Sequence, residues 1–190
     1  MPSRRWLAIV AIPVTIAGHA NAWPQHDVTL LSPVSSACIS SPFGPRILPN
    51  RPLAGTYHYG IDMPAPLGAP VRATAAGTVI RVQDRGAGGL EVLVQHDGFV
   101  GVYSHLGMVA PTIAEGKSLL AAGEKLGVVG QTGVTYGPHL YFAMLRSGRP
   151  ADPAPYLGVS LCNGGVHRTR ADMLGPDGKI PPTRHYARLN

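Results

Sequence analysis

The run Leu90-Glu91-Val92-Leu93-Val94-Gln95-His96-Asp97-Gly98-Phe99-Val100-Gly101-Val102-Tyr103-Ser104 decides the class of fold. Its first half alternates apolar and polar side chains with a period near two, the spacing of a strand that buries one face. Asp97-Gly98 then supplies the residues that tolerate positive φ in a two-residue turn. A second β-rich run, Phe99 to Ser104, returns from it, which reads as an antiparallel hairpin. Similar short runs flank this pair: Val71 to Ala73, Gly77 to Val82, Leu126 to Val129, and His139 to Leu145 closed by Ser147-Gly148. One short helix is expected over Pro111 to Glu115. No long segment of period 3.6 follows the N-terminal region, so the class is all-β: a compact antiparallel sheet or sandwich with long loops and a cleft.

The N-terminus has a different character. Arg4 and Arg5 precede an apolar run from Trp6 to Ala17, and Ala20-Asn21-Ala22 is a small-x-small cleavage pattern. This reads as an export signal over residues 1–22. The apolar run is shorter than the roughly 20 residues a bilayer span needs, and no later run is long enough, so no membrane span is expected after cleavage. Removal of the signal leaves 168 residues and lowers the formal charge from +6 to +4. That length suits one core. Residues 23–36 read as an extended lead-in, 37–160 as the folded domain and 161–190 as a weakly structured tail.

A modest positive excess on an exported chain suits the anionic polymers of a cell envelope, in the periplasm or outside the cell. Nucleic acid is a poor partner, because no Lys/Arg-dense stretch carries interleaved aromatics. Cys38 and Cys162 are the only cysteines. In an oxidising compartment a disulfide between them is the expectation and two free thiols the alternative.

Three segments can carry chemistry. In His58-Tyr59-Gly60-Ile61-Asp62 an imidazole and a carboxylate stand four residues apart in a Pro/Gly-rich loop. Tyr103-Ser104-His105-Leu106 places a histidine at the exit of a strand. In Gly137-Pro138-His139-Leu140-Tyr141-Phe142 the period of two sets His139 and Tyr141 on one face and Leu140, Phe142 and Met144 on the other. A polar face for a cleft and an apolar face for a core is what a site built on a sheet requires.

His-x-x-x-Asp, then Tyr-Ser-His-Leu, then Gly-Pro-His-Leu-x-Phe, in this order, resembles the lysostaphin/LytM family of zinc peptidases that cut peptidoglycan. Ser41-Pro42-Phe43-Gly44-Pro45-Arg46, Gly60-Ile61-Asp62, Ala76-Gly77-Thr78-Val79 and Gly127-Val128-Val129-Gly130-Gln131-Thr132-Gly133 agree with it. The resemblance spans roughly Ser40 to Pro153. It implies that His58 and Asp62 are zinc ligands and that His105 and His139 are the catalytic histidines beside the scissile bond. It also implies a third zinc ligand at position 141, where the family has histidine and this chain has Tyr141. Neutral phenol is a poor ligand, and its pKa near 10 must fall for phenolate to bind at pH 7. Two functions are therefore kept: a Zn2+-dependent endopeptidase of wall cross-links, and a silent relative that binds wall material or regulates another cell-wall hydrolase. A lipoyl- or biotin-carrier-like module, related in fold, lacks the lysine such a carrier needs at its hairpin tip.

The remaining polar residues have plainer readings. His96, ahead of Asp97-Gly98, reads as solvent-facing. Glu91, Glu115 and Glu124 read as surface charges. Tyr57 and Tyr59 could line a groove or pack on their own loop.

Overall fold

The structure, a computed structural model, describes residues 29–35, 38–48 and 51–162. The expected export signal and the tail after Cys162 lie outside them. The strands in chain order are β1 (Gly44–Pro45), β2 (Tyr57–His58), β3 (Ile61–Pro64), β4 (Pro70–Arg72), β5 (Gly77–Arg85) and β6 (Gly89–His96). They continue as β7 (Phe99–Val109), β8 (Leu119–Leu120), β9 (Lys125–Val129), β10 (His139–Arg146) and β11 (Arg149–Ala151), with short helices α1 (Pro111–Ala114) and α2 (Ala154–Leu157).

Among the described residues, β1 and β2 form a small ribbon and the other nine strands one antiparallel sheet. Its path runs β11-β10-β7-β6-β5-β8, with β3 beside β10 and β9 joining β4 to β7. The expected hairpin is β6–β7, with His96 opposite Phe99. Strands β5 and β7 run beyond the sequence reading because pairing with β6 and β9 carries them to Arg85 and Val109. The sequence reading missed β1, β2, β3, β8, β11 and α2; the first three lie inside the stretch taken for loop.

One face of the sheet holds the core. Val92 and Val94 of β6, Tyr103 of β7, Ile61 and Met63 of β3, and Leu140, Phe142 and Met144 of β10 are all buried on a two-residue period. Each large apolar side chain so buried is worth about 1.5–3 kcal/mol, which fixes the register of these strands. Leu30 and Val34 of the lead-in also join the core. Cys38 and Cys162 form the expected disulfide, beside a parallel bridge between Ile39 and Leu161.

His96 does not face solvent. It is only 3% exposed, because it shares the core-facing parity of Val92 and Val94 along β6. Its Nδ1–H donates to the carbonyl of Ala76 at 3.0 Å, and Nε2 lies 3.1 Å from the Tyr103 hydroxyl. That hydroxyl accepts the Thr74 backbone N–H at 3.0 Å and pairs with Thr74 Oγ1. Burial lowers the His96 pKa from its ordinary 6.5, against the upward pull of its bonds to backbone carbonyls. In this window the unfolded chain binds the extra proton and the native chain resists it, so stability falls as pH drops below about 6.5. Melting at pH 7.5 and 5.5 should show this loss, and His96→Gln should flatten the pH dependence. An unchanged slope in the variant would assign the effect elsewhere.

Candidate active site

The second face of the sheet floors a cleft of about 790 Å³. All five residues singled out in the sequence, His58, Asp62, His105, His139 and Tyr141, line it. Strand pairing explains their meeting. In the β3–β10 pair Tyr141 lies opposite Asp62, and in the β7–β10 pair Tyr141 lies opposite Ser104. His58 arrives on β2, four residues before Asp62. Gly60 lets the chain between them lie flat on β10, since a Cβ there would come 2.6 Å from the Phe142 carbonyl oxygen and 2.8 Å from Tyr141 Cζ.

The three imidazoles are oriented in the same way. Nδ1 of His58 lies 3.0 Å from the Pro42 carbonyl, Nδ1 of His105 lies 2.9 Å from that of Thr132, and Nδ1 of His139 lies 2.8 Å from that of Gly137. A carbonyl oxygen can only accept, so each Nδ1 carries a proton and each Nε2 is left for the cleft. Such backbone tethers fix tautomer and ring direction in metal and acid–base sites alike.

Asp62 is the electrostatic centre. Its Oδ1 lies 3.2 Å from His58 Nε2 and 3.4 Å from His139 Nε2, while Oδ2 lies 3.6 Å from Arg46 Nη1. Burial opposes its charge, but hydrogen bonds from His139 and His58, and their charge, hold it well below the usual carboxylate range. Arg46 is itself aimed by Ser41 Oγ at 2.7 Å and the Ala54 carbonyl at 2.6 Å.

His105 and His139 face each other with ring centres 4.8 Å apart. Burial and the charge of His139 lower the His105 pKa, partly offset by Thr132, Asp62 and Glu91. His139 moves the other way: burial lowers it, but its bond to Asp62 and the Asp62 charge raise it overall. Two neighbouring imidazoles pulled apart in this way can act as base and acid. His105 also takes φ +61°, a left-handed conformation unusual for a non-glycine residue. Gly130 N–H donates to its carbonyl at 2.9 Å. Thr132 Oγ1 donates to the Leu106 carbonyl at 2.8 Å and accepts Leu90 N–H at 2.9 Å, clamping both neighbouring strands.

His58 Nε2 and Asp62 Oδ1, 3.2 Å apart, suit two corners of a tetrahedral zinc site, whose edges are about 3.3 Å for bonds near 2.0–2.1 Å. Among the described residues no three His, Cys, Asp or Glu side chains form a group able to hold a metal ion. His58 and His139 bracket the same Asp62 oxygen instead of surrounding a common point. A third corner therefore needs another donor type, and Tyr141 is the one in register, its ring 5.3 Å from that of His58.

Sequence reasoning missed three cleft residues. Arg51 stacks over the Tyr136 ring at 4.9 Å, and both line the cleft. Glu91 is not a surface charge: it is 5% exposed and lies in the cleft wall. Tyr57 and Tyr59 do line the groove, packed on each other at 4.7 Å.

The model of peptidase family M23 matches residues 56–153, just over half of the chain and all five of these residues. The chain belongs to peptidase family M23. The expected lysostaphin/LytM-type fold is borne out. This M23 chain is 38% identical over 126 residues to the DD-carboxypeptidase/endopeptidase Mpg of Neisseria meningitidis serogroup B, covering 65% of this chain and 28% of that protein. It is 33% identical over 117 residues to the peptidoglycan DD-endopeptidase ShyB of Vibrio cholerae, covering 60% and 26%. It thus spans about a quarter of the length of these curated relatives. The catalytic domain of the antimicrobial peptidase lysostaphin from Staphylococcus simulans superposes with a TM-score of 0.56 at 26% identity, over 64% of this chain and 92% of that one. A zinc containing peptidase from Vibrio cholerae gives 0.55 at 30% identity, over 70% and 39%.

Proposed function

We propose that this M23 chain is an exported, zinc-dependent endopeptidase that cleaves the peptide cross-links of bacterial peptidoglycan. The observation that carries this reading is the convergence of His58, Asp62, His105, His139 and Tyr141 on one cleft, with all three histidines tethered through Nδ1. The peptidoglycan DD-endopeptidase ShyB among its relatives supports the substrate class. The signal-like residues 1–22 support export to the periplasm or beyond.

In this reading His58, Asp62 and Tyr141 hold zinc, which when bound acts as a Lewis acid and lowers the pKa of water toward neutrality. His105, kept neutral by its lowered pKa, takes the proton of the attacking water at Nε2. His139, tethered through Nδ1 to the Gly137 carbonyl, turns Nε2 into the cleft, where its protonated form presents Nε2–H to the oxyanion of the peptide carbonyl. That carbonyl, 2.8 Å from Nδ1, holds the ring in place. The second reading, a silent domain that binds wall material or regulates another cell-wall hydrolase, is favoured by one observation: position 141 is a phenol.

Metal analysis of the metal-replete protein, with digestion of purified sacculi, decides between them. About one equivalent of zinc is expected. His58→Ala should remove the metal and cut digestion at least about a hundredfold, since even outer-shell changes at metal sites cost tens-fold. Zinc-free wild type that still sediments with sacculi would favour the silent reading.

A further inference from the structure

Arg51 has no part in the chemistry above, yet it lines the cleft in a fixed setting. Its backbone is held on both sides: its N–H donates to the Leu48 carbonyl at 3.0 Å, and its carbonyl accepts the Ala54 N–H at 3.0 Å. The Ala54 carbonyl in turn accepts an Arg46 Nη2–H at 2.6 Å, and Arg46 Nη1 lies 3.6 Å from Asp62 Oδ2. This chain of contacts ties the turn Pro52–Ala54, and Arg51 just ahead of it, to the centre of the site.

The side chain is placed as well. Arg51 Cζ lies 4.9 Å from the centre of the Tyr136 ring, which belongs to the segment before β10, so the stack joins two separate parts of the cleft lining. A guanidinium stacked on a ring keeps its N–H donors in its own plane, where they can form a fork to a carboxylate. Both side chains are exposed, so a ligand in the cleft can reach them. Among the described residues, the acids of the cleft lining are Asp62 and Glu91. Asp62 pairs with His58, His139 and Arg46, and Glu91 accepts hydrogen bonds from Ser104 and Gln83. The ion pairs found among the described residues do not include Arg51.

We propose that Arg51, set by Tyr136, is a specificity residue that binds a carboxylate of the wall peptide held in the cleft. This rests on the cleft being a peptidoglycan-peptide site, and it adds the charge that site selects. Wall peptides carry carboxylates at the C-terminus and along the chain, and both offer the same pair of coplanar oxygens to the fork. Tyr136 is the positioning residue, since its ring face holds the guanidinium plane.

The test is calorimetric titration of the whole protein with a stem tetrapeptide that has free carboxylates at its C-terminus and on its second residue, and with its two singly amidated forms. Wild type should lose at least about tenfold in affinity on one of the two amides, the size expected for a charged hydrogen bond, and that amide names the carboxylate. Arg51→Gln should erase the difference between the peptides. Tyr136→Leu should reduce it, and Tyr136→Phe, which keeps the ring face, should retain it. Equal binding of all three peptides by wild type overturns the proposal, as does a preference that survives in Arg51→Gln. A loss shared evenly by both amides, the mark of long-range attraction to a basic surface, overturns it too, and so does absence of binding. Sacculus digestion reads the hydrolase function separately. Digestion without a carboxylate preference condemns the role of Arg51 alone, whereas a preference without digestion leaves that role standing and condemns the hydrolase.

Discussion

Exchanging Tyr141 for histidine is expected to tighten zinc binding by up to about a thousandfold at pH 7. A phenol with a pKa near 10 must give up its proton to become a ligand, and three units below that value the cost is about 4 kcal/mol. Histidine binds through a neutral nitrogen and escapes most of this penalty. Space does not oppose the change, since imidazole is smaller than the phenol now packed over Gly60. Zinc affinity of the wild type should also climb more steeply between pH 6 and 8, because each binding event releases the phenol proton. Competition against a coloured chelator at three pH values measures both effects, and sacculus digestion should rise alongside. Tyr141→Phe should weaken zinc further. Were all three proteins to hold zinc equally well, Tyr141 would be a wall of the cleft and not a ligand.

The second large effect concerns the disulfide. Cys38 and Cys162 are separated by 124 positions, so breaking their link frees a loop that includes all eleven strands named above. Chain-entropy arguments put the loss at roughly 4–5 kcal/mol, a large part of the 5–15 kcal/mol that holds most domains together. Urea unfolding of the Cys38→Ser, Cys162→Ser double variant, and of wild type in reductant, should shift by the same amount. The ends it holds add little of their own: Ile39 N–H to the Ser160 carbonyl and Cys162 N–H to the Ile39 carbonyl, both at 2.9 Å. A shift below about 1 kcal/mol would mean that these bonds and the buried Leu30 and Val34 hold the edge without the cross-link.

The site was legible where chemistry and parity coincide. His139 and Tyr141 alternate with Leu140 and Phe142, so one strand announces both its core and its polar face. His58 and Asp62 were legible from their motif, but the strand that carries Asp62 was not. Ile61-Asp62-Met63 does alternate, and both apolar members are fully buried, yet glycine and proline on either side masked so short a signal. His96 shows a local rule overriding a better one: the turn beside it suggested solvent, while its parity with Val92 and Val94 placed it inside. Glu91 was read as a surface charge, yet it is buried on the face opposite that of Val92. What sequence could not reveal is that this face is covered there, because the residues that enclose it, Ser104, Gln83 and the turn at Gly88, come from other parts of the chain.

The pairing of Tyr141 with Ser104 on one side and Asp62 on the other places the cleft floor along a single cross-strand line. If β10 threads one position out of step, His139 and Tyr141 turn inward and Leu140 and Phe142 emerge. Such a molecule is greasy on its working surface, and it is prone to clump before it could persist as a soluble, inert impostor. Solubility of the chain thereby depends on the register of β10.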